Sequence, residues 1–516
     1  MLVTEKTKTF ETVILAVVVL AVSALFLFPP ALVNEAPFWD DKAYINNALI
    51  ASGRLSPSDA RGPYAEERPP LFWWFLTGLY ALNLPAETAR IVSPLLTTFG
   101  VVAMFLLVAK VFDSLLAGFI AALTTTVLNY FVLTTSYILT DASGSVIAFV
   151  ALLSFSLGLR YGPFLWVAGG LTGVSILARD QNLLLLPVFL LSFAWIARMS
   201  KVVKIVYVGL LAVVAFSAVS MGQENFLQAV SDTLTPVVTD VTFIPLLSVF
   251  SIFSVIAVYK VAEQKNLLSR RPSIEERAFD MFLAIAILLF ILLPFFIDNI
   301  RLGQEFQIEG RGILSRPVAH SLMVKNDIAR TGLGTVERVI FWLNSIPSLF
   351  TAPLLITAGA GVFMALKNRV TLAKPLILYL VLTIGYIMPF THIEYRFLAP
   401  AVPAAAAFTG YAVAQVARKS KLLGAVIAAV VLVYAFPETS FYGLVPTFQQ
   451  PAVITGWQIF LSYSRYAETW FSDYVAYLDG VLRPPNLLLP ISYVAAAWST
   501  ILFLAAAVYI GFKNPL

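Results

Sequence analysis

Long apolar runs separated by short polar connections fill most of this chain. Fourteen runs can be drawn, at 11–29, 88–109, 115–133, 138–159, 163–177, 182–197, 205–221, 239–259, 278–297, 343–366, 375–390, 397–416, 422–437 and 489–511. A helix that crosses a bilayer needs about 20 apolar residues. Several runs fall short of that, so the expectation is about 14 transmembrane helices, with a range of 12–14, and 163–177 with 182–197 form the weakest pair. No run sustains the two-residue alternation of a half-buried strand. Backbone polar groups in lipid must be satisfied within the spanning structure, so helices remain. The pattern predicts an all-α polytopic integral membrane protein.

The polar connections add a direction. With Lys6 and Lys8 placed in the cytoplasm, alternate connections carry Lys110, Arg160, the set Arg198, Lys201 and Lys204, and the set Lys260, Lys265, Arg270, Arg271 and Arg277. Lys367, Arg369 and Lys374, then Arg418, Lys419 and Lys421, and finally Lys513 complete that side. This is a positive-inside pattern. It predicts a plasma-membrane protein with both termini cytoplasmic and the first apolar run retained as a helix. The opposite face receives the long connections 30–87, 298–342 and 438–488 and a shorter one near 222–238. The longest of these exceed plain connectors, and Ala43–Ala51 and Leu71–Leu82 read as helices lying along the interface.

Composition agrees and removes other classes. Of 516 residues 59% are hydrophobic and 12% charged, against about 25% charged in an ordinary soluble domain. Cysteine is absent, which excludes disulfides, thiol nucleophiles and thiolate metal sites. The net charge of +5 is spread over short connections, so it is no nucleic-acid footprint. No GxxxxGK[ST] phosphate loop, internal repeat or matched pair of broken helices stands out, which leaves an ATP-driven pump and a secondary transporter unsupported.

The chemistry-bearing residues gather on the outer face. Asp40 and Asp41 follow the first apolar run, with Tyr44 after them. An acid pair there is either solvated or a general base tuned by its neighbour, because two close like charges raise one pKa. Arg68 precedes Pro69 and Pro70, which stiffen the chain around it, and its fork suits a phosphate. Snorkelling at the interface is the plainer role. Trp73 and Trp74 read as interface anchors rather than sugar-stacking platforms. Asp141 opens an apolar run, where it either favours a helix N-terminus or partners a buried cation. Arg179 and Asp180 lie in the short turn Ala178-Arg179-Asp180-Gln181-Asn182. Charges at that depth pair with each other or meet a substrate. His392, Glu394 and Arg396 form a further compact cluster. One histidine with one glutamate falls short of the three protein ligands of a catalytic zinc, so no metal site is predicted.

In order and spacing these residues resemble the GT-C superfamily of polyprenyl-phosphate-sugar glycosyltransferases. The nearer resemblance is to its protein O-mannosyltransferase and lipid A aminoarabinose-transferase branch. Asp40-Asp41-Lys42-Ala43-Tyr44 is similar to the acid pair and tyrosine of the first outer loop. Glu67-Arg68-Pro69-Pro70-Leu71-Phe72-Trp73-Trp74 resembles the segment where a basic residue precedes two prolines and aromatics. Leu139-Thr140-Asp141, Arg179 and Glu394-Tyr395-Arg396-Phe397-Leu398-Ala399-Pro400 complete the series. Two departures stand out: Asp-Asp where many relatives have Asp-Glu, and arginine in place of the commoner lysine before the prolines.

The resemblance implies a GT-C-like catalytic transmembrane unit over 1–437, including the outer loops 30–87 and 298–342. An outer-face region over 438–488 and a terminal helix and tail over 489–516 follow. It implies an inverting glycosyltransferase acting on the extracellular or periplasmic face. Asp40 is then the general base, supported by Asp41. Arg68, Arg179 and Arg396 contact the donor phosphate, and Asp141, Tyr44, His392 and Glu394 support them. The donor is a polyprenyl-phosphate sugar within membrane lipid, and the acceptor is a hydroxyl of a protein, glycolipid or glycan. No cofactor is expected. The competing reading is a transporter or flippase for polyprenyl-linked glycans, which also needs arginines along a lipid-phosphate path.

Overall fold

The computed structural model describes residues 2–33, 39–61, 69–196, 274–301, 335–390, 395–435, 470–485 and 491–513. Within them the chain is helical, and no strand occurs among the described residues. The expected runs 205–221 and 239–259, the connection near 222–238, and most of 298–342 and 438–488 lie outside them. So do Arg68, His392 and Glu394.

The first half of the bundle holds α1 (Leu2–Val33), α4 (Ala89–Phe112), α5 (Leu115–Val127), α6 (Asn129–Ser136), α7 (Asp141–Gly158) and α8 (Pro163–Ala178). Between α1 and α4 lie the shorter α2 (Trp39–Ala51) and α3 (Pro70–Ala81). Next come α9 (Leu185–Ile196), α10 (Ile274–Arg301), α11 (Thr335–Phe350), α12 (Ala352–Lys367), α13 (Lys374–Phe390), α14 (Ala401–Lys419) and α15 (Lys421–Ala435). Last are α16 (Trp470–Val481) and α17 (Ile491–Lys513).

Among the described residues, four helical stretches are long and apolar enough to cross a membrane: Thr9–Leu32, Ala86–Phe112, Asp141–Gly158 and Val494–Phe512. The α5–α6 pair makes a fifth if it is one broken span, bent by 62°. The remaining apolar helices, such as Pro163–Ala178 and Lys421–Ala435, run 10–17 residues. Two expected runs are divided. The run 115–133 breaks at Leu128, whose backbone is extended. The run 343–366 breaks at Thr351, which sits at φ 60°, a costly conformation for a β-branched residue.

Helices α7 and α8 form the centre. Every residue of both is buried. They pack as a hairpin against α4 on one side and α10 on the other. Pro163 starts α8, where its missing N–H removes no intrahelical bond. The alanine-rich α14 packs closely on α5, and a Cβ at Gly410 would meet the Ala117 carbonyl. Small residues let helix backbones approach in this way where lipid supplies no hydrophobic drive. By contrast α1 and α15 keep apolar side chains exposed, among them Phe10, Val17, Leu25, Leu422 and Val430. Such faces suit contact with acyl chains.

The helix expected at Leu71–Leu82 forms as α3. Most of it is buried, and it packs on α2, α8 and α17. Phe75 stacks on Trp498 with ring centroids 4.6 Å apart. Trp74 is fully buried and Trp73 partly so. Trp74 is therefore a core side chain rather than an interface anchor. The reason is compositional: α3 is apolar on nearly every face, and such a helix stabilises the fold most by burying all of them.

Candidate active site

The acid pair lies in the first turn of α2. An anionic residue there meets the unsatisfied N–H groups and positive end of the helix dipole. Asp41 is buried, and Asp40 precedes it in the same turn. One turn on, Tyr44 sets its ring edge against Phe72, centroids 5.3 Å apart at 61°. That contact ties α2 to α3, and α3 continues to α8.

A distant segment holds α2 from its other side. The Tyr474 hydroxyl of α16 donates to Asn46 Oδ1. The Lys42 ammonium stands 5.7 Å from the Tyr474 ring centroid. Farther along, Tyr477 donates to the Asp59 carbonyl at 2.7 Å, and the Arg61 guanidinium lies 3.6 Å over its ring. Arg483 donates its backbone N–H to the Arg54 carbonyl at 2.8 Å and pairs with Asp59 at 3.4 Å. The Arg54 side chain in turn donates to the Leu84 carbonyl at 2.6 Å. Burial pushes the Tyr474 and Tyr80 hydroxyls above the ordinary tyrosine range, so both remain donors at neutral pH. Burial also draws the Lys42 ammonium below its ordinary value.

The second group of residues sits at the α7 and α8 ends. Arg179 follows α8 with an extended backbone and donates its N–H to the Ser175 carbonyl at 2.9 Å. Its guanidinium pairs with the Asp141 carboxylate at 2.6 Å. Both side chains are over nine-tenths buried. Gly144 makes room for the arginine stem: a Cβ there would lie 3.2 Å from Arg179 Cγ and 3.2 Å from Ala178 Cβ. Asn182 locks the turn, its amide donating to the Ser175 carbonyl at 2.8 Å and the Gly144 carbonyl at 3.2 Å. The guanidinium also stands 5.6 Å from the Phe397 ring centroid, and Phe397 directly follows Arg396 in the 3-10 turn Tyr395–Leu398. Arg179, Asp141 and the start of the Arg396 segment are thus brought together. A desolvated pair of this kind is costly unless geometry and further hydrogen bonds compensate it.

No protein-family model and no curated protein matches the chain. Solved structures that the chain matches include ArnT and an archaeal oligosaccharyltransferase. ArnT from Cupriavidus metallidurans, solved bound to undecaprenyl phosphate, shares 15% identity at a TM-score of 0.44, over 98% of this chain and 77% of ArnT. Its apo form gives 14% and 0.45. The archaeal oligosaccharyltransferase AglB from Archaeoglobus fulgidus, solved with an inhibitory peptide and a dolichol-phosphate, shares 12% at a TM-score of 0.43, over 93% of this chain. The chain spans 57% of the length of AglB.

Sequence reading passed over Asn46, Tyr474 and Gln181. Asn46 and Tyr474 lie 428 positions apart, and neither stands in a motif that would point to the other. Gln181 was one polar residue in a short turn, and only its burial singles it out. Among the described residues no three His, Cys, Asp or Glu side chains converge in a way that could hold a metal ion.

Proposed function

We propose that this chain is an inverting glycosyltransferase of the GT-C type, moving a monosaccharide from a polyprenyl-phosphate donor to an acceptor hydroxyl. The observation that carries this reading is the buried Arg179–Asp141 pair at the meeting of α7, α8 and the Phe397 turn. A guanidinium held in place there by a carboxylate suits a lipid-borne phosphate as negative charge develops on it. The acid pair at the head of α2 supplies the other requirement. Asp40 takes the proton of the acceptor hydroxyl as that oxygen attacks the anomeric carbon. The bond to the phosphate oxygen breaks, and its electron pair leaves with the phosphate. A phosphate leaving group is acidic and needs no protonation. Single displacement inverts the anomeric centre. Arg68 and Arg396 join Arg179 as contacts to the phosphate, Asp41 and Tyr44 support the base, and His392 and Glu394 act as further supporting residues. The site faces the extracellular or periplasmic space, and the acceptor is a protein, glycolipid or glycan hydroxyl.

The test is Asp40→Asn in purified protein with radiolabelled polyprenyl-phosphate sugar. Turnover is expected to fall by at least about 1,000-fold, in the range of a lost general base combined with a lost charge, while donor binding persists. Turnover near that of the unaltered protein would remove Asp40 from the role.

One observation favours a flippase for polyprenyl-linked glycans: the 62° bend between α5 and α6, of the broken-helix type that transport paths use. Proteoliposomes separate the two. A new glycosidic bond without net flipping supports the transferase, and flipping without a new bond supports the alternative.

A further inference from the structure

Two neighbouring amides in the turn Asp180–Leu184 behave in opposite ways. The Asn182 amide is spent on the Ser175 and Gly144 carbonyls. The Gln181 amide is 8% exposed, and neither its Nε2 nor its Oε1 has a hydrogen-bond partner within the protein. A carboxamide offers two N–H donors and a carbonyl with two lone pairs. Leaving all of that unmet in a buried place is disfavoured, and native proteins rarely do so without a water, ion or ligand to meet it. Gln181 lies two residues beyond Arg179, in a turn pinned by the Asn182 N–H to the Arg179 carbonyl at 3.0 Å. Helix α13 packs against the same turn and brings the fully buried Tyr379 within electrostatic reach of Arg179.

We infer that Gln181 is a specificity-determining contact for the donor head: its amide hydrogen-bonds a hydroxyl or amide group of the sugar whose phosphate Arg179 holds. This rests on the transferase reading above. The chemistry follows from the side chain. A neutral amide cannot compete with Arg179 for phosphate, but it matches a group that both donates and accepts, as sugar hydroxyls and N-acyl groups do. A site built to hydrogen-bond such a group also rejects analogues that lack it, because the buried amide is then left unmet.

The test uses the full-length protein in detergent or nanodiscs, with Gln181→Leu and Gln181→Glu. The probes are dolichyl-phosphate mannose, dolichyl-phosphate glucose and sugar-free dolichyl phosphate. Because the amide meets no other protein group, Gln181→Leu is expected to leave the melting temperature unchanged or raised. Binding of the sugar-bearing donor that the unaltered protein prefers is expected to weaken about 10- to 100-fold, and binding of sugar-free dolichyl phosphate to stay the same. Gln181→Glu keeps the acceptors and loses the donors, so it is expected to change the preference between the two sugars. Equal donor affinity in Gln181→Leu and the unaltered protein would overturn the role of Gln181 while leaving the transferase reading intact. Equal weakening of the sugar-free lipid, or a lowered melting temperature with all binding lost, would overturn it too, in favour of a phosphate-side or purely structural residue. An unaltered protein that binds none of the three probes overturns the transferase reading and this inference together.

Discussion

The two halves of the candidate site are held in contrasting ways. The Arg179–Asp141 pair is fixed locally. Its supports come from α7, α8 and the turn that follows, with Asn182 reaching back 38 positions to Gly144. Both charges are out of water, and a glycine leaves room for the arginine stem. The acid pair is held from afar. Its helix is clasped by α16 through Tyr474 and Asn46, 428 positions apart, and Tyr477 and Arg483 hold the stretch 54–59 that follows it. One region concentrates its energy in a buried ionic contact, and the other spreads it over several partly exposed ones. A phosphate site gains from rigid, preorganised charge. On the proposed reading, α2 carries the base beside an incoming acceptor, and such a helix can instead be gripped by several smaller contacts.

That comparison can be broken at its strongest point first. Asp141→Asn removes the carboxylate that pairs with the buried Arg179 guanidinium. It is expected to destabilise the protein by about 3–5 kcal/mol, read as a lower melting temperature in detergent, and to lower donor affinity. The double change Asp141→Leu with Arg179→Met removes both charges. It is expected to recover most of the stability and none of the turnover, which separates what the pair does for the fold from what it does for the donor. Recovery of turnover in the double variant would take the phosphate away from Arg179.

On the acid side the effects are smaller. Tyr474→Phe deletes the hydroxyl that meets Asn46 and is expected to cost about 1 kcal/mol of stability. Turnover is expected to fall while the affinity for donor is kept, since the α2 side is loosened and the Arg179 side is not. A matching loss of donor affinity would mean that the two regions are one rigid unit. Smallest of all, Arg483→Ala breaks an exposed pair with Asp59. Stability is expected to fall by about 1 kcal/mol or less, in line with surface ion pairs, read as a small drop in melting temperature, and turnover to stay level. A large loss of turnover would show that the clasp by α16 is more rigid than its exposed contacts imply.

Much of the architecture was legible as periodicity and length. The apolar runs at 88–109, 138–159 and 489–511 correspond to α4, α7 and α17, because 18 or more apolar residues have few alternatives to a buried or lipid-facing helix. The break at Leu128 was not legible, since Leu128 is as apolar as its neighbours and its extended backbone follows from how α6 packs on α1, α4 and α7. Trp74 was misplaced for a related reason. A tryptophan after two prolines suits an interface and a core equally, and the packing of α3 on α2, α8 and α17 decides for the core.

For the site, the sequence by itself determined the residue types and their order: an acid pair, an aspartate at a helix start, and an arginine in a short turn. Those are local properties, set by chain neighbours and by the helix dipole. Tertiary structure alone decided that Asp141 pairs with Arg179, that Tyr474 clasps α2, and that Gln181 is buried with its amide unmet. Each of these depends on segments that meet only after packing, and burial is a property of the surroundings rather than of the residue.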